Sequence, residues 1–179
     1  MEADRLMRER VLGMVPQQHP FRFIEEILEL DDQHCVGAYR FRPDEYFYRG
    51  HFPGLPITPG VILIETMAQT GVVAFGLYLS VLAGKAKEMA EENVTLFTLA
   101  DSVEFMGVVS PGERVVVTGK KVYFRGSQIK ADVSMTRPDG EPICSGTLSG
   151  KGVPRTEFER KREQQPVNGK ENRMEDVSE

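Results

Sequence analysis

The pattern of hydrophobic and polar residues predicts a short helix and then a β-hairpin in the first quarter of the chain. Residues 4–14 have apolar positions at helical spacing, and Pro16 ends that pattern. Two runs rich in aromatic and β-branched residues follow, Phe21 to Leu30 and Cys35 to Phe41. Because the Asp-Asp-Gln sequence at 31–33 is typical of a turn, we expect the two runs to pair as a hairpin.

The rest of the pattern predicts one long helix and an antiparallel sheet. Pro59 stands in the first turn of an apolar helix that is predicted to end near Leu82. Turn residues such as Asp139-Gly140 separate four predicted strands further along. These strands are Val94 to Met106, Arg114 to Phe124, Gln128 to Thr136 and Ile143 to Ser149. A helix with so few polar residues must be covered, so we expect an α+β fold in which a curved antiparallel sheet wraps one long helix.

The length of 179 residues suits one domain with a sizeable core. We expect this domain to occupy residues 1–150. The segment 151–179 is charged and has scarcely any apolar residues, which predicts a disordered tail, or at most a transient helix around 157–164. A charged stretch at 85–92 is either the frayed end of the long helix or a surface loop.

Composition also limits the partners and the location of the protein. The net charge of −5 argues against a nucleic-acid-binding protein, which usually has a basic surplus. The longest apolar run, at 61–83, is interrupted by polar residues and glycines, so we expect no membrane span. The N-terminus shows no apolar signal core, and a cytoplasmic location is expected. Cys35 and Cys144 are expected to be reduced, buried thiols.

Glu65 is the chemically unusual residue of the predicted long helix. An unpaired carboxylate in an apolar stretch is costly, so this side chain must be paired, protonated or open to a cavity. An apolar cavity raises the pKa of a carboxyl group, as a general acid near neutral pH requires. The alternative is a structural ion pair with Arg40, Arg42 or Arg49.

His51 lies in the loop before this helix, where Pro53 and Pro56 stiffen the chain. An imidazole can act as a general base near neutral pH, although a loop histidine is more often a packing or capping residue. The helix start at Gly60 and Val61 leaves backbone N–H groups free, and the helix dipole favours a negatively charged ligand there. A thioester carbonyl that becomes an enolate would be stabilised at such a place. Base, oxyanion site and acid are the requirements of one reaction.

The segment 50–69 closely resembles the motif of bacterial 3-hydroxyacyl-acyl-carrier-protein dehydratases of the FabZ type, members of the hotdog-fold superfamily. The segment contains His51-Phe52-Pro53-Gly54, Pro59-Gly60-Val61 and Ile64-Glu65. The resemblance extends over residues 5–150. Three further stretches carry it: Pro16-Gln17-Gln18-His19-Pro20-Phe21, Asp44-Glu45-Tyr46-Phe47 and Val108-Val109-Ser110-Pro111-Gly112-Glu113.

The resemblance implies a β-elimination that yields a trans-2-enoyl thioester. His51 would remove the proton alpha to the thioester, and Glu65 would protonate the departing β-hydroxyl group as water. The Gly60 N–H would hold the oxyanion, and Val61 and Phe97 are further expected substrate-binding residues. Because the related FabA type has an aspartate at the carboxylate position, Glu65 favours a dehydratase without isomerase activity.

The resemblance also implies a carrier and a second protomer. The substrate would arrive on the phosphopantetheine arm of an acyl carrier protein, and no metal or redox cofactor would be needed. His19, His34 and His51 show no metal-ligand spacing. Two protomers would pair sheet to sheet as a homodimer, so that His51 and Glu65 of each site come from different chains. In this family such dimers often assemble further as trimers of dimers.

An acyl tunnel lined by the long helix and by Phe75, Leu96 and Phe97 is expected from the same resemblance. Leu96 takes the place of a tyrosine that gates the tunnel in some members. Glu104-Phe105-Met106 stands where the family usually has basic residues around a phenylalanine. These two departures concern chain-length preference and carrier docking. Candidate cations for the carrier are Arg40, Arg42 and Arg49.

Two other functions are compatible with the same expected fold, because one fold hosts many functions. The first is a hotdog acyl thioesterase, although such enzymes generally direct a carboxylate at water and lack the His-Phe-Pro loop. The second is a non-catalytic acyl-binding hotdog subunit. The presence of both His51 and Glu65 argues against that second alternative.

Overall fold

The part of the protein that the structure describes contains a short N-terminal helix, one long central helix and six β-strands. A computed structural model describes residues 2–85, 93–156 and 159–160. The elements in chain order are α1 (Arg5–Met14), β1 (Glu26–Leu30), β2 (His34–Arg40), a 3-10 turn (Tyr46–Arg49), α2 (Gly60–Ala68), a π-helical segment (Gln69–Ala74), α3 (Phe75–Leu82), β3 (Asn93–Phe105), β4 (Arg114–Arg125), β5 (Gln128–Thr136) and β6 (Pro142–Pro154). Helix α1 starts as predicted, with the Asp4 side chain accepting a hydrogen bond from the Met7 amide.

The six strands form one antiparallel sheet in the order β1-β2-β4-β5-β6-β3. Helix α2, the π-helical segment and α3 run on without a break, and we call this unit, Gly60–Leu82, the central helix. It packs against β2, β4, β5 and β6. The predicted α+β hotdog fold, in which a sheet covers one long helix, is therefore confirmed.

Small residues allow the central helix to lie very close to the sheet. A Cβ atom added to Gly119 of β4 would lie 2.6 Å from the Cα atom of Gly71, so a side chain at this crossing would force the two elements apart. The surrounding core is fully buried and includes Met67, Phe75 and Leu148. Close packing of this kind explains why the helix carries almost no polar surface.

The central helix is long and apolar enough to cross a membrane by length and composition alone, with a mean hydropathy of 1.5. In the fold, 78% of that apolar window is buried. The sheet therefore satisfies most of the hydrophobic surface that the sequence pattern shows.

The predicted first strand is shorter than its aromatic composition indicates. Residues 21–25 precede β1 and are not part of it. The Phe23 amide donates to the side-chain Oε1 of Gln69 at 2.6 Å, where a strand residue would bond to a neighbouring strand. An aromatic residue at position 23 fills the core with its ring, and it does not indicate that the backbone belongs to the sheet.

The predicted end of the last strand is too early, and it affects the expected domain boundary. Strand β6 continues beyond Ser149 to Pro154, and Lys151, which was expected to begin the tail, pairs with β3. The boundary after residue 150 thus falls inside a strand. Glycines at 150 and 152 hide the alternation of side chains that would have revealed it.

Two predictions lie outside the described residues. They concern the charged stretch at 85–92, of which only Lys85 is described, and the disorder of the tail from 161 onwards. Both stay predictions. The two cysteines are free and buried, as expected.

Strand β3 forms one edge of the sheet and exposes apolar side chains along much of its length. Phe97 is 44% exposed, Leu99 41% and Phe105 52%. An edge strand offers unpaired backbone N–H and C=O groups, and apolar residues beside them favour pairing with another chain. Several large apolar side chains are thus uncovered along this edge in the described part of the protein.

Candidate active site

The loop that carries His51 is anchored in the protein core by Glu45. This carboxylate is only 3% exposed and accepts hydrogen bonds from the Tyr39 hydroxyl group at 2.5 Å and from the Arg42 Nε at 3.3 Å. The 3-10 turn follows directly, and the His51 amide donates to the Phe47 carbonyl at 3.0 Å. A buried carboxylate held by two donors resists displacement, so the start of the loop is rigid.

The ring of His51 is held in one orientation. Its Nδ1 lies 3.0 Å from the Ile57 carbonyl oxygen, and its ring is stacked on Phe52 with a centroid distance of 4.1 Å. A carbonyl oxygen can only accept, so Nδ1 carries the proton and the neutral ring has its lone pair on Nε2. The imidazole is half-buried. It is therefore prepared to accept a proton at Nε2 from a ligand.

The central helix starts close to this ring and offers free amides. The Pro59 carbonyl accepts from the amides of Ile62 and Leu63 at 2.9 and 3.2 Å. The amides of Gly60 and Val61 precede this hydrogen-bond ladder and are left for an external acceptor. The Val61 side chain is 72% exposed in the single chain.

An aromatic ring closes one side of Gly60. A Cβ atom added there would lie 3.1 Å from the ring of Phe105, at the end of β3. The Phe105 ring therefore packs directly against Gly60, and any side chain at this position would press on the ring.

Glu65 lies about one and a half turns further along the helix and has no ionic partner among the described residues. It is half-buried, and its Oε1 accepts from the Gln69 Nε2 at 2.9 Å. Burial raises the pKa of Glu65, while the hydrogen bond from Gln69 partly opposes that rise. Among the described residues of the chain, no ion pair joins Glu65 to Arg40, Arg42 or Arg49, since Arg42 bonds to Glu45 and Arg40 to the Gly112 carbonyl.

Gln69 is a positioning residue that pattern reasoning did not identify. It is fully buried; its Oε1 accepts from the Phe23 amide, and its Nε2 donates to the Phe21 carbonyl and to Glu65. With the amide oriented by the backbone, one Nε2 hydrogen must point at Oε1 of Glu65. Oε2 of Glu65 is then free to carry a proton toward a ligand.

Replacing Gln69 with Met should lower kcat about tenfold with little change in KM, because the acid would no longer be held in place. Loss of a donor to the carboxylate should also raise the pKa of Glu65 further. The alkaline limb of the pH–rate profile should then move to higher pH. The measurement is kcat against pH for correctly folded enzyme.

Ser80→Ala is a suitable control for that variant, since Ser80 is buried in the same helix and its hydroxyl group donates to the Gly76 carbonyl, away from Glu65. A Gln69→Met enzyme with an unshifted pH profile would show that Gln69 has only a structural role.

The five expected site residues fall into three places in one chain. His51 adjoins the segment that leads into Gly60 and Val61, and Glu65 lies about 7.5 Å further along the helix axis. No hydrogen bond or ion pair joins His51 to Glu65 within the chain. Phe97 is more distant, at the other end of the exposed edge.

Phe97 lies toward the far end of the helix-lined surface. It pairs with Gly150 of β6, and the backbone of Gly150 lies against the Val72 side chain. Val72 is about 18 Å beyond Gly60 along the helix. Phe75 is fully buried in the core. The expected substrate-binding residues therefore mark the two ends of a long surface and not one compact pocket.

Some of these contacts could be anticipated and others could not. Gln69 stands four residues after Glu65, a spacing that brings side chains together on one helix face. The hydrogen bonds that join Gln69 to residues 21 and 23, and Tyr39 to Glu45, could not be predicted from the local sequence pattern. Among the described residues, no group of three or more His, Cys, Asp or Glu side chains could hold a metal ion.

The chain is similar to known proteins over most of its length. The family model described as the FabA-like domain matches residues 15–147. The 3-hydroxyacyl-acyl-carrier-protein dehydratase FabZ of Caldicellulosiruptor bescii is 33% identical over 141 residues, which cover 78% of this chain and 94% of the relative. The FabZ of Syntrophobacter fumaroxidans is 38% identical over 122 residues, covering 68% and 77%.

A solved structure has the same fold at low identity. The dehydratase heterocomplex ApeI:P from Xenorhabdus doucetiae matches with a TM-score of 0.66 and 17% identity, covering 85% of this chain and 96% of that chain. At this level of identity the likeness concerns the fold.

Proposed function

The chain belongs to the FabA-like domain family, among the FabZ dehydratases, and we infer that it converts a 3-hydroxyacyl-carrier-protein thioester to the trans-2-enoyl thioester in fatty acid biosynthesis. It is a carbon–oxygen lyase. The observation that carries the inference is the orientation of His51, whose Nδ1 bonds to Ile57 and leaves Nε2 without a hydrogen-bond partner among the described residues. A base held in this way is what proton abstraction requires.

We propose the following roles in the elimination. Nε2 of His51 takes the α-proton, and the electron pair of that C–H bond forms the new C=C bond as the C–O bond to the β-hydroxyl group breaks. The Gly60 amide stabilises the developing oxyanion of the thioester. Glu65 gives its proton to the leaving hydroxyl group, which departs as water. The raised pKa of Glu65 supports this role, because a buried carboxyl group keeps its proton to higher pH.

We further propose that the acyl chain lies along the central helix. The uncovered surface between Gly60 and Phe97 has apolar side chains, and Val61 stands at its start. In a single chain this surface is open to solvent, which does not suit an alkyl chain. A second protomer would close it.

The proposal therefore includes a homodimer joined along β3. Pairing two β3 edges would satisfy the free backbone groups and cover Phe97, Leu99 and Phe105 of both chains. His51 and Glu65, which share no contact within one chain, would then combine across the interface. Assembly into a trimer of dimers is part of the same proposal.

The proposed chemistry assigns each proton transfer to protein side chains, and it uses no metal or redox cofactor. The acyl group is carried on the phosphopantetheine arm of an acyl carrier protein. A cytoplasmic location, where the carrier would be met, belongs to the proposal as well.

The direct test is to incubate the protein with a 3-hydroxyacyl carrier substrate and to follow enoyl absorbance and free thiol together. We expect enoyl absorbance to rise without thiol release, because elimination leaves the thioester intact. Release of thiol would indicate a thioesterase. Binding of the acyl carrier without either product would indicate a non-catalytic subunit.

A further inference from the structure

A positively charged pocket lies on the surface between the segment before β1 and the end of β2. Its volume is about 230 Å³. It is lined by His19, Arg22, Ile24, Glu25, Tyr39, Arg40 and Arg42. Three arginines around so small a space are unusual on a chain whose net charge is −5.

The positive charge of two of these arginines is not balanced within the described part of the chain. Arg22 donates to the carbonyls of Leu12 and Ile24, and Arg40 donates to the carbonyl of Gly112. Neither guanidinium has a carboxylate within ion-pair distance among the described residues. Carbonyl groups orient a guanidinium but do not neutralise it.

Glu25, which lines the pocket, and Glu45, which bonds to the lining residue Arg42, each have an arginine partner. Glu25 pairs with Arg114 at 3.3 Å, and Glu45 pairs with Arg42, also at 3.3 Å. Arg42 also contacts the His19 ring through Nη2. The pocket therefore keeps an excess of positive charge from Arg22 and Arg40.

The segment that lines the pocket is also linked to the candidate acid by hydrogen bonds. His19 and Arg22 flank Phe21, whose carbonyl accepts from Gln69, and Gln69 in turn bonds to Glu65. Two residues, Phe21 and Gln69, thus lie between the pocket-lining residues and the catalytic carboxyl group. The exposed end of β3 carries Asp101 and Glu104 instead, so that surface is unfavourable for an anionic partner.

We infer that this pocket is the docking surface for the acyl carrier protein, and that Arg22 and Arg40 bind acidic groups on the carrier. The inference rests on the proposed dehydratase function and identifies where its macromolecular substrate binds. Charges at such a surface act mainly on encounter with the partner and on its orientation. The surface should not affect the binding or turnover of a substrate that has no carrier.

The test compares two forms of one substrate, the 3-hydroxyacyl group on its carrier protein and the same group on uncharged N-acetylcysteamine. For Arg40→Glu, the ratio of kcat/KM for the carrier form to that for the small thioester should fall about tenfold. Arg40→Gln keeps an N–H donor for the Gly112 carbonyl, and its ratio should fall less. Added salt should lower the wild-type ratio and affect Arg40→Glu less.

Arg125→Glu provides the matched control, because Arg125 is an exposed arginine at the opposite end of β4. Its ratio should equal that of the wild type. An unchanged ratio in Arg40→Glu, or an equal loss on both substrates, would overturn the docking surface. If the unaltered protein dehydrates neither substrate, the proposed function fails and the docking inference fails with it.

Discussion

Replacing His51 with Ala should lower kcat/KM for enoyl formation about a thousandfold, since the reaction then lacks its base. The side chain bonds only to the neighbouring Ile57 carbonyl and stacks on an exposed Phe52, so its loss should leave the core unchanged. Enoyl absorbance at saturating and subsaturating substrate measures the effect. A thermal melt close to that of the wild type would show that the variant is folded.

His34→Ala is the matched control, because His34 forms only surface contacts with Glu29 and Asp31. It should retain wild-type kinetics. Full elimination activity in His51→Ala would contradict the assignment of His51 as the base.

Glu65→Gln should lower kcat about a hundredfold and remove the alkaline limb of the pH–rate profile. Burial raises the pKa of Glu65, so its acid form persists above the pH at which an exposed glutamate ionises. As the pH rises through this raised pKa, the proton needed by the leaving hydroxyl group is lost and the rate declines. Glutamine keeps the shape and the hydrogen bond to residue 69 but has no proton to transfer.

The measurement is kcat across the pH range in which the protein stays folded. Glu29→Gln, which alters an exposed glutamate on β1, should leave the profile unchanged. An alkaline limb that persists in Glu65→Gln would have to come from another group and would remove Glu65 from the role of acid.

The two variants together also test the proposed division of each site between two chains. Equimolar His51→Ala and Glu65→Ala proteins, mixed under conditions that let subunits exchange, should recover about a quarter of wild-type activity. Half of the randomly formed dimers are mixed, and each mixed dimer has one site with both residues intact. No recovery after verified exchange would place both residues of a site in one chain.

Much of the fold could be predicted from local sequence. The helical spacing at 4–14, the turn at 31–33 and the apolar run after Pro59 led to elements that the structure contains. Such signals succeed because they depend on neighbours within a few residues. Prediction was wrong at residues 21–25 and past Ser149, where the backbone partner or a glycine determines the outcome.

The sequence by itself determined the chemical content of the site: a histidine in a proline-stiffened loop, a glycine at a helix start and a carboxyl group in an apolar helix. These are properties of residue type and spacing, so they can be identified without a fold. They also sufficed to recognise the family.

Only the tertiary structure decided how those groups are held. It places the Ile57 carbonyl on Nδ1 of His51, which selects the reactive nitrogen. It also brings residues 21 and 23 to Gln69, which orients Glu65. The physical reason is that a hydrogen bond between residues 46 positions apart, and the burial that raises a pKa, exist only once the chain has packed. The sequence thus determined which chemical groups are present at the site. The packing of the chain determined which atoms of those groups are available to react.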